Sequence, residues 1–141
     1  MSKIVEVALA EYGNEGIVGQ EHNPDVVKYF KDIGFSWIND DETPWCAAFL
    51  NWVFLKCNIK GTGKLTARSF LAIGRATLQP VLGDIVVLWR ISPTSWAGHC
   101  GIYIKESKNL LWILGGNQSN SVRIETYSKK QLLGYRRMLD S

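Results

Sequence analysis

The hydrophobic pattern of this chain changes at Pro80, and the change restricts the folds open to it. Before Pro80, apolar residues recur with helical spacing, whereas after it short runs rich in β-branched and aromatic residues alternate with polar turns. Helices followed by an antiparallel sheet are typical of an α+β domain. The 141 residues suit one domain, since domains commonly hold roughly 100–200 residues. Because no repeat or linker divides the chain, we expect a single domain over residues 1–141.

Four helical segments are predicted before Pro80, at residues 3–12, 23–34, 45–57 and 66–72. The third has a clear start, because Thr43 is a favoured N-cap residue and Pro44 suits the first helical position. This segment is apolar nearly all round, which indicates a helix buried in the middle of the domain.

Five strands are predicted after Pro80, at residues 84–89, 99–105, 110–114, 122–127 and 134–138. If the chain turns near residues 107–109, the second and third strands form a hairpin whose paired positions add up to 216 or 217. His99 then lies opposite Asn117 or Gln118. Either amide can orient an imidazole by fixing its tautomer and ring direction.

Cys46 occupies a position in which a thiol becomes reactive. With Thr43 as the N-cap and Pro44 as the first helical residue, Cys46 is the third residue of its helix. Its N–H then lacks an acceptor within the helix and can donate to an oxyanion. The positive end of the helix dipole favours the thiolate over the thiol. We therefore expect Cys46 to be a nucleophile, whereas Cys57 and Cys100 are expected in the core.

A nucleophilic cysteine needs a base, and the chain has two histidines, His22 and His99. His22 precedes a helix cap in a loop. His99 opens a strand directly after Gly98, where a side chain can reach toward a neighbouring helix. The residues alone therefore predict an arrangement of Cys46, His99 and an amide, which is either Asn117 or Gln118.

Four segments of the chain carry a resemblance to a known superfamily. They are residues 44–49 (PWCAAF), 83–87 (GDIVV), 98–103 (GHCGIY) and 115–120 (GGNQSN). Together they resemble the NlpC-type and CHAP-type cysteine hydrolases of bacterial cell walls. The likeness extends from residue 23 to residue 137.

The resemblance implies a papain-like α+β fold, in which N-terminal helices carrying the nucleophile pack on a C-terminal antiparallel sheet. By position it assigns Cys46 as the nucleophile, His99 as the base and Asn117 as the orienting residue, with Gln118 as the second choice. That mechanism needs no metal and no organic cofactor.

Two positions depart from the pattern of the superfamily. Gly115 stands where some CHAP-type members carry a Glu, two residues before the Asn. Residues 45–48 read Trp-Cys-Ala-Ala, whereas many NlpC-type members have Asp-Cys-Ser-Gly around the nucleophile. The first departure bears on the orienting residue, and the second bears on the bond that is cleaved.

The resemblance also implies a substrate. We expect cleavage of an amide or peptide bond in the stem peptide of peptidoglycan, through a thioester intermediate. Trp45, Trp96 and Asp41 are expected to line the substrate cleft, because they lie close to the nucleophile or the base in the sequence. Two alternatives are a peptidoglycan- or peptide-binding module of the same fold without catalysis, and a thiol peptidase or transferase acting on protein substrates.

Charge and the N-terminal segment bear on partners and location. Sixteen Lys and Arg against thirteen Asp and Glu give a net charge of +3, too small for a dedicated nucleic-acid binder. No apolar run reaches the ~18 residues of a membrane span, and Glu6 and Glu11 interrupt the region where a signal peptide would be apolar. We therefore expect cytoplasmic synthesis, no membrane partner, and access to the wall by release or secretion. This would suit a phage lysis enzyme or an antibacterial effector, and an effector would have an immunity protein as partner.

Overall fold

Three α-helices precede a six-stranded sheet in the computed structural model of the protein, which describes residues 2–15, 24–35 and 45–138, without the side chain of Asp25. Within these ranges the helices are α1 (Lys3–Leu9), α2 (Pro24–Lys31) and α3 (Cys46–Lys56). A 3-10 helix follows over Ala67–Ala72. The predicted α+β class, with helices first and an antiparallel sheet second, is confirmed.

The sheet contains six antiparallel strands in the described part of the chain. They are β1 (Arg75–Thr77), β2 (Ile85–Trp89), β3 (Gly98–Glu106), β4 (Leu110–Gln118), β5 (Ser121–Ser128) and β6 (Leu132–Arg137). Their order across the sheet is β1-β6-β2-β3-β4-β5, so that four consecutive strands are neighbours and β6 returns to lie between β1 and β2.

The β3–β4 hairpin has the predicted register. Ile102 pairs with Leu114 at a position sum of 216, and Lys105 pairs with Trp112 at a sum of 217 after a bulge. Because side chains alternate between the faces of a strand, this register decides which residues of β4 can meet His99.

Helix α3 lies in the middle of the fold, as its apolar sequence predicts. All residues from Cys46 to Phe54 are buried. The helix packs on β3 and β4 of the sheet and also on α1 and α2. This packing brings the N-terminal end of α3 to the sheet residues that follow Gly98 and Gly115.

The Gly83-Asp84 motif has a structural role at the start of β2. Gly83 has a φ of +99°, a conformation that favours glycine. The buried carboxylate of Asp84 accepts hydrogen bonds from Nε and Nη2 of Arg137 at 3.0 and 2.8 Å and from the N–H of Val81 at 2.8 Å. Asp84 thereby ties the first residues of β2 to the end of β6.

Several boundaries differ from those predicted. Helix α3 begins at Cys46 with Trp45 as its N-cap, so the prediction that Cys46 is the third helical residue is wrong, and Cys46 is the first. Residues 43 and 44, which carry the predicted start signal, lie outside the described residues. Strand β1 was not predicted, because three residues show no period. No helix in the described ranges is long and apolar enough to cross a membrane.

Candidate active site

Cys46 lies at the N-terminal end of α3. The first hydrogen bond of the helix runs from the N–H of Phe49 to the carbonyl of Trp45, at 2.9 Å. The N–H of Cys46 therefore has no acceptor within the helix, and the helix dipole acts on its sulfur. Only 8% of Cys46 is exposed, which shields the sulfur from water.

His99 lies beside Cys46, at the second residue of β3. The two side chains are close enough for the charge and hydrogen bonding of each to shift the pKa of the other, and His99 is 7% exposed. Strand β3 can bring His99 here because α3 packs directly on it. The structure thus brings together the nucleophile and the base that the sequence predicts.

Gln118 holds the other side of the imidazole. Its Oε1 lies 2.8 Å from Nε2 of His99. Its own Nε2 donates to the carbonyls of Ile113 and Arg123, at 2.9 and 2.6 Å, which fixes the amide orientation. Since Oε1 can only accept, Nε2 of His99 must carry a proton, and Nδ1 is the nitrogen left for the thiol of Cys46.

The hydrogen bond to His99 is therefore made by Gln118 and not by Asn117, which corrects the first choice of the sequence analysis in favour of its second. In a regular hairpin with a position sum of 216, Asn117 would lie opposite His99. Asn117, however, has a φ of +57°, and the β4–β5 register shifts between Gly115 and Gln118. This irregularity breaks the alternation of side chains and turns Gln118 toward His99.

Gly115 makes room for the amide of Gln118. A Cβ at position 115 would lie 2.7 Å from Oε1 of Gln118, closer than real Cβ atoms approach. Some CHAP-type hydrolases carry a Glu at the position of Gly115. In this protein the side chain of Gln118 fills the space that a side chain at position 115 would need. A pair of glycines inside a strand is a known signal of such irregularity, and it was the available clue in the sequence.

Cys100, which was expected only as a core residue, is a further group at the site. It is buried, as expected, but its thiol and its backbone N–H both lower the pKa of Cys46 through hydrogen bonding. Burial, and then the hydrogen bond and charge of Cys46, raise the pKa of Cys100 well above its ordinary value. Cys100 therefore stays protonated and can donate to the Cys46 sulfur.

These contacts favour an ionised pair. The hydrogen bond from Cys100 lowers the pKa of Cys46, and the charge and hydrogen bond of His99 lower it further, so that burial is outweighed and the pKa lies well below its ordinary value. Burial lowers the pKa of His99, but the charge of the Cys46 thiolate and the hydrogen bonds that the imidazolium donates to Cys46 and to Gln118 outweigh it, so that this pKa is raised. The site is arranged to hold a thiolate next to an imidazolium.

A cavity of about 510 Å³ adjoins His99 on the side of Gln118. Tyr127 forms one wall, stacked on the imidazole with ring centroids 5.1 Å apart and its hydroxyl 3.3 Å from Nε2. Arg90 and Asn117 contribute further polar groups to the lining. The base is therefore reached from a polar cavity large enough for part of a peptide.

The three residues expected to line a substrate cleft have different environments. Trp45 is fully buried and stacks on Tyr29 with centroids 5.7 Å apart, so the expectation of a groove-lining role is corrected: Trp45 belongs to the core. Trp96 is 81% exposed on the loop before β3. Asp41 lies outside the described residues, as does His22.

No group of three or more His, Cys, Asp or Glu side chains in residues 2–15, 24–35 and 45–138 is arranged to hold a metal ion. The titratable side chains at the site instead interact with one another, since His99 and Cys100 both lower the pKa of Cys46. This arrangement is suited to nucleophilic attack on a carbonyl carbon by a thiolate.

Comparison with known proteins identifies the fold. The structure matches that of a Staphylococcus aureus protein described as similar to lipoprotein of the NLP/P60 family, with a TM-score of 0.55 and 17% identity over 98% of this chain. It also matches the P60 domain of a Mycobacterium avium paratuberculosis antigen, with a TM-score of 0.55 and 14% identity over 96% of this chain. The match covers 41% of the first protein and 90% of the second. No protein-family model and no curated protein sequence matches the chain. The papain-like fold of NLP/P60 proteins, which the sequence motifs imply, is confirmed.

Proposed function

We propose that this protein is a cysteine hydrolase that cleaves an amide or peptide bond in the stem peptide of peptidoglycan. The observation that carries the proposal is the placement of Cys46 at the N-terminal end of α3 beside His99, whose imidazole is held by Gln118 at 2.8 Å. A helix N-terminus, a lowered thiol pKa and an oriented base are the features that activate a cysteine nucleophile.

In the proposed reaction, the Cys46 thiolate attacks the scissile carbonyl carbon. The N–H of Cys46 donates to the oxyanion that forms, because it has no acceptor within the helix. His99 then protonates the leaving amine from Nδ1, and a thioester to Cys46 remains. Water attacks the thioester with His99 as general base, releasing the carboxylic acid and regenerating the thiol.

Gln118 serves as a positioning residue in this scheme. Its carbonyl oxygen keeps the proton on Nε2 of His99 and leaves Nδ1 to exchange the proton with Cys46. Two backbone carbonyls hold the amide in that orientation, so the imidazole does not have to reorganise during the reaction.

The assignment of peptidoglycan as substrate is supported by the likeness of the four motif segments to cell-wall hydrolases and by the fold shared with NLP/P60 proteins. The exposed indole of Trp96, on the loop that leads to His99, is available to pack against a peptide or a sugar ring. We propose it as a substrate-binding residue.

The proposal is tested by digesting purified peptidoglycan and analysing the released fragments by mass spectrometry. Wild-type protein should release fragments whose masses name the bond, and Cys46→Ala should release none. Cys57→Ala is the matched control, because Cys57 lies 11 positions further along the chain, about 16 Å from Cys46 at 1.5 Å per helical residue. If several wall types yield nothing but a peptide library is cleaved, the protein acts on protein substrates. If neither is cleaved, the fold serves as a binding module.

A further inference from the structure

Arg90 is the basic side chain among the described residues that line the cavity beside His99. It lies one residue after β2, on the loop that leads to β3. Its backbone is held in place, because its N–H donates to the carbonyl of Ala97 at 3.2 Å and its carbonyl accepts from Oγ of Ser95 at 2.7 Å. The position from which the guanidinium extends is therefore fixed.

The same loop is held by a second arginine. Arg68 donates to the carbonyls of Ala97, Ser92 and Pro93 at distances from 2.9 to 3.1 Å. Three carbonyls on one guanidinium fix the loop to the 3-10 helix that carries Arg68. Arg90 thus extends from a braced loop and not from a freely moving one.

The guanidinium of Arg90 forms no hydrogen bond and no ion pair with any residue that the structure describes. Four of the five other arginines are engaged: Arg68 and Arg136 with carbonyls, Arg137 with Asp84, and Arg123 with Glu125, whereas Arg75 is exposed on β1. An arginine that is anchored at its backbone and left without a partner in a cavity retains its capacity to bind an anion.

The described part of the cavity lining contains no Asp or Glu that could pair with the guanidinium of Arg90. Glu125, which accepts a hydrogen bond from the cavity residue Ser119, lies 3.7 Å from Nη1 of Arg123. The positive charge of Arg90 also reaches His99, because it lowers the pKa of that imidazole, against the net upward shift. An anion bound between the guanidinium and the imidazolium would be attracted by both.

We propose that Arg90 binds a free carboxylate of the peptide substrate close to the scissile bond, with the amide of Asn117 as a second donor, so that the protein selects carboxylate over carboxamide at that point. This inference rests on the proposed hydrolase function and adds the charge of its substrate. Arginine suits the task, because its planar fork matches a carboxylate with two parallel hydrogen bonds.

The first test uses two synthetic peptides built on the fragment released in the wall digest. They differ only in that the carboxylate beside the scissile bond is free in one and a carboxamide in the other. Wild-type protein should prefer the carboxylate in kcat/KM by roughly ten- to hundredfold, the value of a hydrogen bond to a charged group. Arg90→Gln should reduce this preference to near one, mainly through KM, and Arg90→Lys should keep part of it.

Arg75→Gln is the matched control for this test. It removes the same charge from an exposed position on β1, at the far edge of the sheet. The control should keep the full preference for the carboxylate. A wild-type protein without preference, or an Arg90→Gln variant that retains it, would overturn the proposal.

A second test does not require turnover. The alkylation rates of Cys46 by iodoacetate and by iodoacetamide are compared at low ionic strength, with the modified residue identified by peptide mapping. The ratio of the anionic to the neutral reagent should fall about threefold or more in Arg90→Gln and stay unchanged in Arg75→Gln. If neither peptide is hydrolysed, the proposed function fails; the alkylation ratio then still supports the anion site if it falls and overturns it if it does not.

Discussion

Cys100 acts on Cys46 across the interface between α3 and β3, where hydrogen bonding from its thiol is the largest influence that lowers the pKa of Cys46. The two cysteines are therefore one chemical unit, although 54 positions separate them in the sequence. Within this unit Cys100 is the donor, because its own pKa is raised, first by burial and then by Cys46.

Replacing Cys100 by Ala should raise the pKa of Cys46. The hydrogen bond from Cys100 is the largest influence that lowers this pKa, and burial, which raises it, would remain. The pH dependence of Cys46 alkylation by iodoacetamide measures the effect directly. Cys57→Ala is the control and should leave the pH profile in place, since Cys57 lies at the opposite end of α3. A Cys100→Ala profile that matches the wild type would show that the thiol contact does not stabilise the thiolate.

Gln118→Ala should lower kcat about ten- to hundredfold, because a hydrogen bond to a charged group contributes about 1.5–3 kcal/mol. Gln131→Ala removes another amide from the same cavity without a contact to His99, and serves as the matched control. Steady-state kinetics on a released wall fragment provides the measurement. Equal losses in both variants would argue against an orienting role for Gln118.

Gly115→Ala should weaken the hydrogen bond between His99 and Gln118 by displacing the amide of Gln118. The new methyl group would lie 2.7 Å from Oε1 of Gln118 and 3.3 Å from the backbone oxygen of Cys100, so that the amide must move out of its position. We expect a loss of kcat together with a lower unfolding temperature, because the displaced amide is buried and donates to two backbone carbonyls. In the double variant with Gln118→Ala, the Gly115→Ala change should cost little more, because both act through one contact. Fully additive losses of kcat would show that Gly115 and Gln118 act independently, and would contradict this prediction.

The pH profile of kcat/KM should be bell-shaped, with an acid limb from Cys46 and an alkaline limb from His99. Activity rises as Cys46 deprotonates at a lowered pKa and falls as the imidazolium loses its proton at a raised pKa. Gln118→Ala removes an influence that raises the His99 pKa and should shift the alkaline limb down. Arg90→Gln removes a positive charge that lowers the pKa of His99, and it should therefore shift the alkaline limb to higher pH. Shifts in the same direction would contradict the assigned contacts.

Asp84→Ala should lower the unfolding temperature, since it leaves the guanidinium of Arg137 and the N–H of Val81 without their carboxylate. Thermal unfolding followed by circular dichroism is the measurement. Lys129→Ala is the control, because its ion pair with Glu106 is partly exposed, and such pairs contribute about 0–1 kcal/mol. A smaller loss for Asp84→Ala than for Lys129→Ala would contradict the role of Asp84 as a tie between β2 and β6.

The sequence alone predicted the helices and strands that are long enough to show a regular spacing of apolar residues. Helix α3 is apolar all round and is buried, and the register of β3 and β4 follows from the position of one turn. The pairing of Cys46 with His99 was also predictable, because a helix start and a strand start each leave a distinctive signal.

Other features of the site depend on contacts that no local pattern encodes. The choice between Asn117 and Gln118 was decided by one left-handed backbone angle at Asn117. The contact of Cys100 with Cys46 arises from the packing of α3 on β3. Trp45 is buried because Tyr29 stacks on it and because Gly116 has no side chain to displace its ring.

Strand β6 follows the other five described strands in the sequence, yet it lies between β1 and β2 in the sheet. Strand β1 has no other strand partner among the described residues, and β2 keeps one open edge until β6 arrives. The nascent chain therefore cannot complete its sheet, or the Asp84–Arg137 tie, before residue 137 has been synthesised. A chain shortened before β6 would expose the backbone donors and acceptors of β2, a surface that promotes aggregation.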